Sequence, residues 1–260
     1  MERAEIERLG DALYSAMCDR RMLAPLTDTH PNLTIEEAYE ISFRFLANRL
    51  NAGEKIIGKK IGVTSAAVMD MLGVRQPDFG FMTDAMRHDI VMEISSTLIQ
   101  PRAEGEIAFI LKKDLQGPGL TNTDVLAATE AVMPCFEVVD SRIKDWQLKI
   151  QDTVADNASC GWFALNEAAA TSPAAVDLIN CEMTVCKNGE VISTGTGAAA
   201  MGNPVNCITW LANTLCTLGI TIEKGDVVLS GSLVPLQPVT AGDEMSLHIS
   251  GIGDCRIAFT

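Results

Sequence analysis

The stretch PRAEGEIAFIL, residues 101–111, carries two glutamates one residue apart, Glu104 and Glu106. Successive side chains of a β-strand point to opposite faces, so these two carboxylates share one face while Ile107, Phe109 and Leu111 share the other. The segment is therefore predicted to be a strand with one face in an apolar core and one acidic face that converges on a single point.

A third carboxylate, Glu137, stands in the run PCFEVVD, residues 134–140, which is predicted to be a neighbouring strand. Like charges held close together are costly unless a cation neutralises them or one takes up a proton, and oxygen-only ligands favour a hard divalent ion. Glu104, Glu106 and Glu137 are thus predicted to hold Mg²⁺ or Mn²⁺. An alternative stays open, because charges on the solvent face of an amphipathic strand give the same spacing.

Length and charge limit the class of protein. The chain has 260 residues, 47% of them hydrophobic, which suits one large domain or a main domain with a smaller attachment. The formal net charge of −14 argues against binding to nucleic acid or to an anionic membrane. An anionic small-molecule substrate would need local help from a bound cation or from well-placed lysines and arginines.

Cysteine and histidine usage points to an intracellular protein without a histidine-based site. The eight cysteines form no CxxC pair and have no histidines near them at zinc spacing, so most of them are expected to be buried reduced thiols. The acidic, amphipathic N-terminus and the lack of a long apolar run predict a cytoplasmic location. The three histidines are scattered, which argues against a Ser/His/Asp triad.

The first part of the chain is predicted to be helical. Apolar residues recur at helical spacing from Ile6 to Met17, which predicts a first helix. A capping box, in which Thr34 precedes Glu37 by three positions, predicts the start of a second helix. Residues 1–54 are predicted to form a helical N-terminal segment, and residues 55–260 a catalytic domain. The two parts could equally count as one domain.

The remainder is predicted to be rich in strands. A strand over 55–61 is followed by a brief helix ending at Gly73 and by RQPDFGFM, residues 75–82, interpreted as a turn-rich loop. The run EMTVCKNGEVISTG, residues 182–195, predicts a hairpin whose turn is Asn-Gly, and residues 204–218 predict an amphipathic helix. The fold class is therefore α+β, with a mixed sheet rolled on itself and helices packed outside.

Two further candidates for chemistry lie ahead of the acidic strand. Lys59 and Lys60 in GKKIGVTS, residues 58–65, point to opposite faces of a strand, and an inward Lys60 would require carboxylates or a substrate anion beside it. Asp78 is a candidate general acid or base. The alternatives are two surface lysines and an aspartate that stabilises a Pro/Gly turn.

Polar clusters supply candidates for substrate binding. Asn157 and Ser159 in VADNAS could present donors to a substrate carboxylate or could form a turn, and Ser232 in SGS could approach a ligand or mark a strand bend. Arg142 and Lys144, after the PCFEVVD strand, are interpreted as solvated charges.

Six runs together resemble the 2-oxopent-4-enoate hydratases of aromatic meta-cleavage pathways, which belong to the fumarylacetoacetate hydrolase superfamily. The resemblance implies a mixed β-roll, Mg²⁺ or Mn²⁺ on Glu104, Glu106 and Glu137, an active-site lysine and aspartate at Lys60 and Asp78, and a homo-oligomer. The runs are GKKIGVTS, LGVRQPDFGFM, QPRAEGEIAFILKKDLQGPG, PCFEVVDSRIKDW, QDTVADNASC and SGSLVPL.

The resemblance implies addition of water to 2-hydroxypenta-2,4-dienoate, which gives 4-hydroxy-2-oxopentanoate. The related 4-oxalocrotonate decarboxylases read GLKMGLTS, HPKIEAEIS and TGGIT where this chain reads GKKIGVTS, QPRAEGEIA and SGSLV. These differences favour the hydratase. Decarboxylation of 2-oxohex-3-enedioate is the first alternative, and a non-catalytic, oxo-acid-binding partner in complex with the decarboxylase is the second.

Overall fold

The computed structural model describes residues 1–65, 69–70 and 73–260. Its strands form two sheets, one of which carries the acidic strand identified above. The strands, in chain order, are β1 (Ile56–Gly62), β2 (Asp78–Thr83), β3 (Val91–Met92), β4 (Arg102–Leu111), β5 (Thr129–Val139), β6 (Trp162–Leu165), β7 (Glu182–Lys187), β8 (Glu190–Thr196), β9 (Val227–Leu229), β10 (Gln237–Pro238), β11 (Glu244–Ile249) and β12 (Gly253–Phe259).

Both sheets are mixed, as the fold class predicts. The larger one has the order β2-β1-β9-β4-β5-β6, with β10 also paired to β4, and the smaller one has the order β3-β12-β11-β7-β8. The β1–β9 and β12–β3 pairs are parallel, and the other pairs are antiparallel. Phe109 and Phe136 from the larger sheet share one apolar core with Leu247 from the smaller sheet. The α+β mixed β-roll is confirmed.

Helices cover the outside of the sheets. The first, third and fifth share an apolar cluster of their own, in which Leu13, Ile41, Phe45 and Val154 are buried. The division into residues 1–54 and 55–260 stays a prediction. The helices whose full ranges lie within the described residues are α1 (Arg3–Asp19), α2 (Leu26–Thr29), α3 (Ile35–Asn51), α4 (Asn122–Ala128), α5 (Ile150–Ala155) and α6 (Pro204–Thr217).

Local signals in the sequence are confirmed where they rest on capping and turn chemistry. The Thr34 amide donates to Glu37 Oε2 at 3.1 Å and the Glu37 amide donates to Thr34 Oγ1 at 3.2 Å, which is the predicted capping box. The hairpin β7–β8 turns through Asn188 and Gly189, with φ of 53° and 86°.

The interpretation of RQPDFGFM as a loop is wrong for its second half. Asp78 to Thr83 form β2, paired antiparallel with β1 along its whole length. Large aromatic residues alternate with other residues in this run, and this alternation explains the strand. Phe79 and Phe81 lie on the face toward α3, where the Phe79 ring stacks on the Tyr39 ring at a centroid distance of 4.3 Å. The predicted helix ending at Gly73 includes residues 66–68 and 71–72, which lie outside the described part of the chain.

Two expectations about the whole chain can be compared with the structure. All eight cysteines are free thiols, and most of them are buried, as predicted. In the described residues, none of the helices has both the length and the apolar character needed to cross a bilayer.

Candidate metal centre

The three predicted carboxylates meet. In the antiparallel register of β4 and β5, Glu104 lies directly opposite Glu137, and Glu106 follows on the same face. One oxygen from each carboxylate lies within 4.8 Å of the other two. Glu106 and Glu137 are 1% and 2% exposed, so the cluster is buried rather than solvated. The alternative of a solvent-facing acidic strand is thereby removed.

The cluster is electrostatically incomplete without a cation. Burial, together with the charge of Glu137, raises the pKa of Glu104 to about 8, and burial raises the pKa of Glu106 well above its usual range. The Gly231 amide donates to Glu106 Oε2 at 2.8 Å. Glu106 Oε1 and Glu137 Oε2 are buried and accept no hydrogen bond from the described residues. Unpaired carboxylate oxygens that converge in this way fit a hard divalent cation.

Lys60 lies beside this cluster. It is 3% exposed on β1, and its Nζ is 3.4 Å from Glu137 Oε1. Burial opposes the charge, but the neighbouring carboxylates, with Glu137 foremost, raise the pKa of Lys60 above its ordinary value. The side chain is therefore a buried ammonium, and the surface-lysine interpretation is wrong. Lys59, on the opposite face, is also buried and is paired with Asp226.

Asp78 is the remaining predicted catalytic residue, and it lies near Lys60. It begins β2, opposite Gly62 of β1, and is 2% exposed. Burial raises the pKa of its carboxyl group, although the charge of Lys60 works against this rise. A side chain on Gly62 would collide with Asp78 Oδ1, and its Cβ would lie 3.4 Å from Lys60 Nζ. Glycine at this position thus leaves the space in which the carboxyl group and the ammonium approach each other. Their catalytic roles stay predictions.

The predicted substrate-binding residues are not all in one place. The Ser232 hydroxyl donates to the Val234 carbonyl and lies 3.4 Å from the carbonyl oxygen of Gly105, the residue between the two glutamates of β4. Asn157 and Ser159 lie behind β2. The Asn157 amide bonds to the backbone of Phe81, and the Ser159 hydroxyl is 3.3 Å from Thr153 Oγ1. Direct contact of these three residues with substrate stays a prediction.

Sequence reasoning missed the importance of Arg142. Its interpretation as a solvated charge is wrong, because the side chain is 1% exposed and its guanidinium is paired with Asp156. Lys144, two residues later, is exposed as expected. The missed signal was the acidic residue in VADNAS, since a buried arginine requires a carboxylate partner nearby. The SGS run supplies a backbone N–H group from Gly231 to Glu106, rather than to a ligand directly.

A rolled mixed sheet with a buried carboxylate trio, a lysine and an aspartate defines a β-roll protein with a candidate metal site. The chain belongs to the fumarylacetoacetate hydrolase family, since the family described as fumarylacetoacetate (FAA) hydrolase C-terminal matches residues 65–260.

Named relatives cover most of the chain. It is 57% identical over 258 residues to a 2-hydroxyhexa-2,4-dienoate hydratase of Comamonas testosteroni, covering 98% of this chain and 97% of the relative. It is 64% identical over 222 residues to a 2-hydroxypent-2,4-dienoate hydratase of Pseudomonas putida, covering 85% and 100%. Among solved structures, the 4-oxalocrotonate decarboxylase of Pseudomonas putida G7, complexed with magnesium and adipate, superposes with a TM-score of 0.96 at 32% identity, covering 100% and 99%.

Proposed function

We propose that this chain is a hydro-lyase that adds water to 2-hydroxypenta-2,4-dienoate and forms 4-hydroxy-2-oxopentanoate, using Mg²⁺ or Mn²⁺. The observation that carries the proposal is the buried trio of Glu104, Glu106 and Glu137, with its unpaired oxygens. The hydratase relatives, at 57% and 64% identity, support the choice of substrate. The decarboxylase structure that contains magnesium supports a divalent ion.

The trio fits the substrate chemically. The carboxylate and the adjacent 2-oxygen of the dienoate form a bidentate chelate. A divalent cation held by the three glutamates would supply Lewis-acid stabilisation for negative charge on that oxygen. We assign Ser232, which follows the Gly231 whose amide donates to Glu106, to the substrate-facing edge of the cluster.

We assign to Lys60 the stabilisation of negative charge on the substrate, and to Asp78 the transfer of a proton. The ammonium of Lys60, enclosed among carboxylates, offers a fixed positive charge that stabilises an enolate or carboxylate of the substrate. The hydration removes the proton of the 2-hydroxyl group, adds a proton at C5, and adds the OH and H of water at C4 and C3. Asp78 suits the transfer to C5, because burial raises the pKa of its carboxyl group and its Oδ1 has no hydrogen bond within the described structure.

One assay tests this function. Loss of the dienoate ultraviolet absorbance is followed with the protein, with and without a chelator, and the product is identified by its mass. We expect metal-dependent loss of absorbance and a product heavier than the substrate by one water. Turnover that persists in metal-free buffer would remove the trio from the mechanism.

Decarboxylation is the second candidate function. The observation that favours it is the superposition on 4-oxalocrotonate decarboxylase over the whole chain, at a TM-score of 0.96. Sequence identity to that protein is 32%, against 57% and 64% to the hydratases. Supplying 2-oxohex-3-enedioate and measuring released CO₂ distinguishes the two activities. We expect no CO₂ above the rate without protein.

We place the protein in the cytoplasm as a homo-oligomer that can associate with the decarboxylase. The support for the location is the set of free cysteines, which suits a reducing compartment. The support for the assembly is the family resemblance. Light scattering on the purified protein, alone and mixed with the decarboxylase, measures both associations.

A further inference from the structure

A strained turn lies behind β2. Asn157, Ala158 and Ser159 have φ of 54°, 51° and 54°, so three consecutive residues with side chains adopt the left-handed conformation. This region is sparsely populated for such residues, and it persists only where surrounding contacts impose it. Asn157 and Ser159 are 0% and 3% exposed, so the whole turn is enclosed by protein.

Arg142 imposes the turn by binding both of its ends. The guanidinium donates to the carbonyl of Asp156 at one end through Nη2 and to the carbonyl of Cys160 at the other end through Nη1, at 2.5 and 2.9 Å. Its Nε also donates to Asp156 Oδ1 at 2.5 Å. The Phe45 ring lies 5.2 Å from the guanidinium carbon.

The same turn is hydrogen-bonded to the backbone of β2. Asn157 Oδ1 accepts from the Phe81 amide at 2.8 Å, and Asn157 Nδ2 donates to the Phe81 carbonyl at 2.9 Å. Because β2 stands at the end of the described sheet, the Asn157 amide takes the place of the next strand at this residue. The oxygen and the nitrogen of the side chain are thus both bonded to the backbone of β2, and the residue is fully buried.

Contact between the turn and β2 is close at Gly80. A Cβ on Gly80 would lie 2.5 Å from the Asn157 carbonyl oxygen and 2.7 Å from Cys160 Sγ, so glycine is required there. Gly80 is also the register partner of Lys60, and Asp78 precedes it by two residues on the same face of β2. The position of the turn therefore sets the position of Asp78 relative to Lys60.

We infer that Asn157 is a positioning residue, which fixes β2 through Phe81 so that Asp78 is held beside Lys60. The inference rests on the proposed function, in which Asp78 transfers the proton. In this inference Asn157 does not contact the substrate. It acts on catalysis through the backbone of β2.

Two glycine variants of the same turn test the inference. Glycine accepts positive φ, so Asn157→Gly and Ala158→Gly both preserve the turn, but only the first removes the amide. We expect Asn157→Gly to lower kcat by about 10- to 100-fold, since small misplacements of reacting groups have effects of this size. The KM and the affinity for Mn²⁺, titrated by electron paramagnetic resonance, should stay near wild-type values. We expect Ala158→Gly to keep the wild-type kcat.

A double variant then separates positioning from general weakening of the fold. If Asn157 acts through Asp78, combining Asn157→Gly with Asp78→Asn lowers kcat no further than Asp78→Asn alone. Losses that multiply would overturn the inference. A raised KM with unchanged kcat in Asn157→Gly would also overturn it, because that result indicates direct substrate binding.

A conservative variant covers the case in which Asn157→Gly does not fold. Asn157→Asp keeps the shape of the side chain, and its protonated form can both accept from and donate to Phe81. It should retain more activity than Asn157→Gly and should show the same non-additivity with Asp78→Asn; a multiplicative loss overturns the inference here too. If the wild-type protein does not turn over the dienoate, the proposed function fails. If it does and Asn157→Gly is fully active, only the positioning role fails.

Discussion

Glu104 lies directly opposite Glu137 across the β4–β5 pair, with both carboxylates on the same face. Like charges placed directly opposite each other destabilise a sheet, and burial adds to this cost. Under the proposed function, this pairing costs stability in the metal-free chain, and a cation bound between the carboxylates would offset that cost.

Substitution of Glu106 by glutamine should separate stability from activity. The amide retains an acceptor for the Gly231 N–H group but removes a carboxyl group that folding must either bury as a charge or protonate, as its raised pKa indicates. We expect turnover to be lost, and the metal-free protein to gain about 1 kcal/mol of unfolding free energy, as is common when a functional site is neutralised. Glu130→Gln, on the exposed end of β5, is the matched control and should change neither quantity. Activity assays and thermal unfolding in chelator measure both effects; a less stable metal-free Glu106→Gln would contradict this account.

Metal binding should stabilise the wild-type chain. A cation that binds only the folded state adds about 2.7 kcal/mol at a concentration 100 times its dissociation constant. We therefore expect the Tm to rise with added MgCl₂ or MnCl₂ and to fall again with chelator. The Glu106→Gln variant should show little response. Equal shifts in the two proteins would place the cation elsewhere.

Lys60→Met should lower activity sharply and should also lower stability, because it leaves the buried Glu137 without its ammonium partner. Methionine fills most of the space of the lysine side chain but removes the charge that lies 3.4 Å from Glu137. We expect kcat to fall by about 100-fold or more, in line with the loss of a fixed charge that stabilises a transition state. Lys55→Met, at an exposed position just before β1, is the control. An unchanged kcat in Lys60→Met would exclude a catalytic role for the ammonium.

Gly62→Ala should impair catalysis through crowding alone. The new methyl group would collide with Asp78 Oδ1 and force that carboxyl group away from Lys60. We expect kcat to fall by about 10- to 100-fold, because reacting groups tolerate little displacement. Ile61→Val, on the neighbouring residue, removes a methyl group on the other face and should leave kcat nearly unchanged. Wild-type kcat in Gly62→Ala would show that the approach of Asp78 to Lys60 is not needed.

Arg142→Ala should be a stability variant of large effect. Removal of the guanidinium leaves Asp156 buried without its partner, and breaking a buried pair in this way costs about 3–5 kcal/mol. Lys144→Ala, at an exposed position two residues along, should change stability by less than about 0.5 kcal/mol. Denaturant unfolding of both variants provides the comparison. Equal, small effects would show that Asp156 finds another partner.

The sequence was most informative where function follows from local spacing. The Glu-x-Glu pattern places Glu104 and Glu106 on one face whatever surrounds the strand, and the Thr34 capping box needs only a neighbour three residues away. Asp78 was harder to interpret, since Pro77 and Gly80 are turn residues by local rules and only pairing with distant β1 makes the segment a strand.

The burial of two positively charged side chains could not be predicted from the local sequence pattern. Lys60 and Arg142 each depend on a carboxylate that the fold brings to them, Glu137 and Asp156 respectively. Without those partners both side chains belong in water, which is the default that composition favours. Pairing across the fold, rather than residue type, decides their burial.

The ligand spacing is determined by the β4–β5 hydrogen-bond ladder, and not by the segment of chain that joins the two strands. Insertions or deletions in that connection are therefore compatible with metal binding as long as the strands keep the same alignment. A shift of β5 by a single residue would turn Glu137 toward the opposite face and dismantle the site, even though every glutamate were still present.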